Sequence, residues 1–333
     1  MYICRTKNKQ IMWREIGAAL GAMVIMFWNV ENYFDPFDDP LKNDDEFTAR
    51  AQRHWTWPRF EQKRDGIAQT VVAVGDITGE LPALVGLAEV ENRMVVSQLV
   101  HKTMLADLEY GFVHRESPDE RGIDVALLYR RDLLQVETVD SLRIPGFVTR
   151  DILYVRFKTL SNAGHKCHPR PDRGSLHVLV VHLPSKRGGA RNSDARRETA
   201  LGVLQHTVDS LLVDDPSAQI VVMGDFNDTA PSVSGLSAPQ RATPDAALQD
   251  VPGTLRYHGR WEQIDHFLLS EAINAKDTTN EAPKMIIFAH PFLLEPDKAW
   301  LGVKPRRTYI GPRHNGGPPA RLPLVLVFLR GKS

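Results

Sequence analysis

Several short apolar runs in this chain end abruptly in groups that could hold a metal ion or move a proton. The run over residues 24–28 closes in Asn29, with Glu31 two positions on. Residues 84–88 close in Glu89, and residues 178–181 in His182. Residues 220–224 close in Asp225, with Asn227 next but one, and a fifth run, 263–269, carries Asp265 among mostly apolar neighbours. An ionised carboxylate beside a core strand must be paired or bound to a metal, because burying it alone is prohibitive. The donors are carboxylate and amide oxygens plus one imidazole, with no thiolate. That set suits Mg²⁺ or Mn²⁺ rather than structural zinc.

Taken singly, each group has an ordinary explanation. Gly224-Asp225-Phe226-Asn227-Asp228 reads as a turn after a strand, Glu89 as a capped strand end, and His182 as a core histidine. Together, in this order and at the ends of apolar runs, they read as one site, since strand ends at one rim of a sheet carry the chemistry of α/β folds.

The elements that must position them alternate along the chain. Apolar, β-branched runs over residues 24–30, 83–88, 125–129, 176–181, 220–223, 264–269, 285–289 and 324–329 predict strands, several covered on both faces. Residues 193–212 have helical spacing through Leu201, Leu204, Val208, Leu211 and Leu212, with Asn192 or Ser193 as cap. Residues 91–108 and 58–74 also read as helices. Residues 228–249 and 295–323 are expected to be surface loops. The fold class is therefore α/β, with one extended core.

The chain has 333 residues, 42% hydrophobic and 25% charged, an ordinary globular balance that needs no disulfide or metal to complete a core. Lys+Arg (41) equals Asp+Glu (41), so affinity for polyanions must come from a local patch or a bound metal. The two cysteines, Cys4 and Cys167, exclude a cysteine zinc site. His165, Cys167 and His168 read as an exposed turn, and the acidic stretch 35–46 lacks calcium-loop spacing. There is no G-x-S-x-G elbow, phosphate-binding P-loop or H-E-x-x-H, which argues against serine hydrolases, nucleotide kinases and zinc proteases.

Arg5, Lys7, Lys9 and Arg14 precede an apolar run over residues 16–28, the charge order of an export signal. The run is short for a bilayer, and cleavage after it would cut into Asn29–Asn32. Residues 1–21 are therefore read as an N-terminal extension or degenerate export signal, and residues 22–333 as a single domain. No stable membrane span is expected, and the cytoplasm is favoured over export.

The ordered motifs resemble the endonuclease/exonuclease/phosphatase family. They are Phe27-Trp28-Asn29-Val30-Glu31-Asn32, Leu87-Ala88-Glu89-Val90-Glu91-Asn92, Gly122-Ile123-Asp124-Val125-Ala126-Leu127-Leu128-Tyr129, Val181-His182-Leu183-Pro184-Ser185-Lys186-Arg187-Gly188-Gly189, the Gly224–Asp228 stretch, and Ile264-Asp265-His266-Phe267-Leu268-Leu269. The resemblance implies a four-layered α/β sandwich, two packed mixed sheets flanked by helices. It implies that Glu89 holds Mg²⁺ or Mn²⁺, with Asn29 and Glu31 lining the same site. By the same resemblance Asp225 orients or deprotonates the attacking water, Asn227 binds a phosphate oxygen, and His182 donates to the phosphate. Asp265 would orient a histidine near the C-terminus, and Lys186, Arg187 and Arg191 would help place a phosphate ester. The substrate would be a nucleic acid, an inositol phosphate or a phospholipid head group.

The C-terminal stretch departs from that pattern. Family members carry Gly-Gly-Tyr-Ser-Asp-His-Leu-Pro where this chain has Gly316-Gly317-Pro318-Pro319-Ala320-Arg321-Leu322-Pro323. Ala320 stands in the place of Asp and Arg321 in the place of His. Arginine stays protonated and cannot act as a base. Asp265 thus loses its usual partner, and an ion pair with Arg321 is the replacement. Two readings follow: a divalent-metal phosphodiesterase or phosphatase, weakened by this loss, or a catalytically impaired member that binds a phosphate-bearing ligand or a partner protein.

Overall fold

The computed structural model describes residues 23–160, 175–185, 190–241, 251–274 and 282–328. The expectation for residues 1–21 lies outside them. In chain order the core strands are β1 (Met23–Tyr33), β2 (Leu84–Val90), β3 (Tyr110–His114), β4 (Asp124–Arg130), β5 (Leu134–Leu142), β6 (Ile152–Thr159), β7 (Leu176–His182), β8 (Gln219–Asp225), β9 (Leu236–Ser237), β10 (Gln240–Arg241), β11 (Asp265–Ser270), β12 (Lys284–Ile287) and β13 (Leu324–Phe328). The longer helices are α1 (Trp57–Thr78), α2 (Arg93–His101) and α3 (Ala190–Asp214).

One mixed sheet has the order β10-β12-β13-β1-β2-β4-β3, and the other β5-β6-β7-β8-β11-β9. The pairs β1/β2 and β7/β8 are parallel. Parallel neighbours need a long crossover, and α1 and α3 supply it. Helix α1 begins after extended Thr56 with Pro58 in its first turn, and ends where Gly79 turns left-handed at φ 84°.

The inner faces of both sheets share one apolar cluster, in which Phe27 and Trp28 of β1 join Phe157 of β6, Met223 of β8 and Phe267 of β11. The outer face of the second sheet is covered by α3 through Ala200, Leu204 and Val208, packed against Leu179, Val181, Ile220 and Val222. Helices therefore flank the two sheets, giving the four layers. No helix among the described residues is long and apolar enough to cross a membrane.

Three expectations are corrected. The helix read over 91–108 is the shorter α2, started by Asn92, whose side chain accepts from the Met94 and Val95 amides at 2.8 and 3.1 Å. After it the chain descends in turns, held where the Thr103 hydroxyl bonds the Leu99 carbonyl at 2.6 Å. Strands β3, β5 and β6 are additional to the expected set: β3 and β5 lack a continuous apolar run, β6 opens on Ile152-Leu153-Tyr154-Val155 before it alternates, and β5 is half-buried at Val136 and Val139 with exposed positions between, as a one-sided strand is. Residues 295–323 are not simply a surface loop. They fold into the hairpins Leu294–Pro296/Val303–Pro305 and Tyr309–Ile310/Arg313–His314, and residues 317–320 are buried.

Candidate active site

The ends of β1, β2, β7, β8 and β11 meet at one rim. Strand register fixes the neighbours: Asp225 lies beside His182 on β7 and opposite Asp265 on β11. Gly224 permits this approach, because a Cβ there would overlap the Val181 carbonyl oxygen. Register also shifts between Asn29 and Tyr33 on β1 and between Ala88 and Val90 on β2. At those irregularities Glu31, Asn32 and Glu89 adopt φ of 47°, 55° and 62°, and Asn227 sits at 50°. Such left-handed backbone is unfavourable for glutamate, and here it re-aims two carboxylates at the rim.

Asn29 ties the acids together. Its amide nitrogen donates to Glu89 Oε1 at 3.1 Å and to Asp225 Oδ2 at 2.9 Å, while its oxygen accepts from the Glu31 amide at 2.9 Å. Glu89 Oε2 accepts from the Asn32 amide at 3.0 Å. Burial pushes the Glu89 carboxyl up, but the guanidiniums of Arg121 and Arg321 and the Asn29 amide outweigh it, leaving it below its ordinary value. Glu31 receives Arg307 at 2.7 Å on one oxygen and the Ala320 amide at 2.7 Å on the other.

Arg321 sits at the centre of the constellation. Its Nη2 lies 2.7 Å from Asp225 Oδ2, and its Nη1 lies 3.4 Å from Asp265 Oδ2. The closer partner is thus Asp225, with Asp265 second. The Trp28 indole N–H holds the Arg321 carbonyl at 3.0 Å, and the Leu322 amide bonds the Thr254 carbonyl at 2.9 Å, so the backbone on both sides is fixed. Thr254 also donates its hydroxyl to Asp265. Asp225 is fully buried, and that burial raises its carboxyl to about 6, against the lowering pull of Arg321. Burial raises Asp265 as well. The combined field of Asp225, Asp265, Glu89 and Glu31 overcomes burial and raises Arg321, which stays charged.

His182 is 4% exposed, and its Nε2 lies 3.6 Å from Asp225 Oδ2. Burial first, then Arg150, Arg321 and Arg121, hold it well below its ordinary value, so it is neutral. Asn227 bonds the Leu183 carbonyl at 2.9 Å, and its amide bonds Asp225 Oδ1 at 3.0 Å. Besides Arg307, sequence reasoning missed three more cations that shape this region. Lys63 is 2% exposed and donates to the Glu31 carbonyl and the Thr308 hydroxyl, both at 2.7 Å. Burial lowers its ammonium to about 8. Arg121 bonds Asn32 at 2.7 Å and lies 3.9 Å from Glu89. Arg150 pairs with Asp119 at 3.0 Å and donates to the Leu183 carbonyl at 3.1 Å. Only Arg121 had a signal, its place beside the Gly122–Tyr129 motif.

Asn29, Glu31, Glu89, His182, Asn227 and Arg321 line a cleft of about 780 Å³, while the buried Asp225 and Asp265 lie behind them and do not reach its surface. Lys186 and Arg187 lie outside the described residues, and Arg191 falls where α3 begins, with its side chain undescribed. The donors suit a hard divalent cation through Glu89, whose oxygens each take one neutral hydrogen bond and keep lone pairs. Glu31 suits it once Arg307, 53% exposed and able to swing away, releases one oxygen. Asn29 presents nitrogen, not oxygen, to the acids.

The model of the endonuclease/exonuclease/phosphatase family matches residues 24–330. No curated protein matches the chain directly. Among solved structures, TDP2 from Caenorhabditis elegans aligns with a TM-score of 0.54 at 16% identity, over 92% of this chain and 74% of that one. The human nocturnin catalytic domain with bound sulfate aligns at 0.55 and 15% identity, over 93% of each chain. A mannosyl-6-phosphatase from Bacteroides thetaiotaomicron aligns at 0.54 and 13% identity, over 92% of this chain and 99% of that one. Likeness at these identities is likeness of fold.

Proposed function

The chain belongs to the endonuclease/exonuclease/phosphatase family, and from that membership we propose that it hydrolyses a phosphate ester with Asp225 as base, Glu89 as principal cation ligand and Arg321 where the family pattern has histidine. The observation that carries the reading is the Asp225 environment. The carboxylate is held by Asn29, the Asn227 amide and Arg321, and burial brings it to about 6. A base so tuned is ionised at neutral pH and still basic enough to take a proton from an attacking water.

Asn227 and neutral His182 bind the phosphoryl oxygens beside it. Arg321 contributes fixed positive charge and N–H donors to the charge that develops on phosphorus-bound oxygen, and moves no proton. Asp265 and Thr254 hold that guanidinium in place. By the family resemblance, Lys186, Arg187 and Arg191 help hold the ester. Mg²⁺ or Mn²⁺, held through Glu89 with Glu31, supplies Lewis-acid polarisation of the phosphoryl oxygen. The substrate belongs to the phosphate-ester class of nucleic acids, inositol phosphates and phospholipid head groups. Without histidine the leaving group departs unassisted, which slows turnover by about 10²–10⁴-fold.

A second reading, an impaired member that binds a phosphate-bearing ligand or partner, is favoured by the occupied state of the acids. Arg321 already neutralises Asp225, and both Glu31 oxygens are taken. The test is hydrolysis of bis(4-nitrophenyl) phosphate and 4-nitrophenyl phosphate with Mg²⁺ or Mn²⁺, with and without EDTA. Metal-dependent turnover supports the hydrolase; tight binding of substrate without turnover supports the second reading.

A further inference from the structure

Away from the cleft, three ligating side chains converge where β3 runs into β4. His114 is the last residue of β3, Glu116 follows in the connection, and Asp124 opens β4 opposite Val90. Among the described residues this is the one group of three histidine, cysteine or acidic side chains whose ligand atoms all lie within 4.8 Å of one another. None of the three lines the cleft.

Two of these side chains are buried with an atom unmatched. His114 Nε2 and Asp124 Oδ2 have no hydrogen-bond partner, on side chains only 1% and 3% exposed. They face each other at 3.7 Å. That is too long for a hydrogen bond, yet near the ~3.3 Å between two ligands of a tetrahedral ion bound at ~2.0–2.1 Å. The other oxygen of Asp124 accepts the Ser117 amide at 3.1 Å, an outer contact that fixes the carboxylate. Glu116 Oε1 lies 3.8 Å from the other ring nitrogen, Nδ1, and one carboxylate oxygen of each acid falls within 4.8 Å of a common ring nitrogen, the one an ion would take; the Glu116 side chain, 59% exposed, leaves a route from solvent. The nearby Lys42 ammonium donates to the Ser117 and Asp119 carbonyls instead of filling the gap.

We propose that His114, Glu116 and Asp124 form a separate site for a first-row transition cation, zinc above all, with water completing its shell. One imidazole with two carboxylates selects such an ion over Mg²⁺, which prefers an all-oxygen shell. The ion would pin the β3–β4 connection, which also carries Arg121 to Asn32 and Glu89.

The experiment strips the full chain with chelator and titrates Zn²⁺ by calorimetry, with visible absorption of a Co²⁺-loaded sample as a second readout. One equivalent of Zn²⁺ should bind in the presence of excess Mg²⁺. His114→Gln and Glu116→Gln should each weaken it by more than the ~10–100-fold typical of losing an outer partner. Glu89→Gln should leave it unchanged, which separates this site from the cleft. If His114→Gln fails to fold, the exposed Glu116→Gln carries the test. No uptake by the unaltered chain, or uptake unmoved by Glu116→Gln, overturns the assignment.

Discussion

Replacing Arg321 by glutamine removes the one cation lying between two buried acids, and the structure sets both the size and the pH dependence of the loss. The guanidinium lies 2.7 Å from Asp225 and 3.4 Å from Asp265. At an effective dielectric of about 20, those separations correspond to attractions of roughly 6 and 5 kcal/mol before desolvation. Removing one partner of a buried pair costs about 3–5 kcal/mol in practice, because the stranded charge recovers part of the loss by protonating. For a chain of this size that is a fall in Tm of roughly 4–7 °C. Asp225 already sits at about 6, above its unfolded value, so its proton is held more tightly folded than unfolded. A carboxyl raised in this way contributes stability at low pH that is lost as pH rises through the folded value. Without Arg321 that value rises further, so the variant should lose more at pH 8 than at pH 5. Thermal or urea unfolding of both proteins at the two pH values measures this, and Asp225→Asn in the variant should restore part of the loss at pH 8. A deficit equal at both pH values, or no deficit, refutes the argument that Arg321 is held by these acids.

Three further outcomes are expected. Asp225→Asn should lower any metal-dependent hydrolysis by about 10²–10⁴-fold with little change in fold, read by initial rates beside circular dichroism; unchanged rates would remove Asp225 from the mechanism. Burial raises Glu91 to about 9, so its stabilising proton is lost as pH climbs toward 9. Glu91→Gln keeps a neutral group there, so it should change Tm little near pH 4.5, where the loss begins, and flatten the decline between pH 7 and 9, of roughly 2 kcal/mol in the unaltered protein. Gly224→Ala should cost about 3 kcal/mol or more, because the new methyl overlaps the Val181 carbonyl and must push β7 from β8; a normal Tm would contradict that packing.

The sequence was most readable where chemistry interrupts apolar runs. Asn29, Glu89, His182, Asp225 and Asp265 stand at the ends of runs buried on both faces, and periodicity alone marks such strands. Strand β5 escaped because it is mostly solvated, with Glu137 and Thr138 exposed between half-buried Val136 and Val139 where the register shifts. The buried cations escaped for a different reason. Lys63 lies on a helix of weak amphipathic pattern, and its burial depends on the Glu31 carbonyl and Thr308, hundreds of residues away in the latter case. Arg321 was legible as a departure, but its closer bond to Asp225 than to Asp265 depends on the Trp28 indole and Thr254 fixing its backbone. Long-range contacts of that kind leave no local signature.

The central claim is that this rim hydrolyses phosphate esters with Asp225 as base and an arginine where histidine is expected. The most direct measurement compares Mn²⁺-dependent hydrolysis of bis(4-nitrophenyl) phosphate by the natural chain and by an Ala320→Asp/Arg321→His double variant. The account predicts slow turnover by the natural chain, abolished by EDTA, and a gain of about 10²-fold or more in the double variant. Turnover by the double variant alone would contradict the claim and make the natural chain a binder of phosphate-bearing ligands.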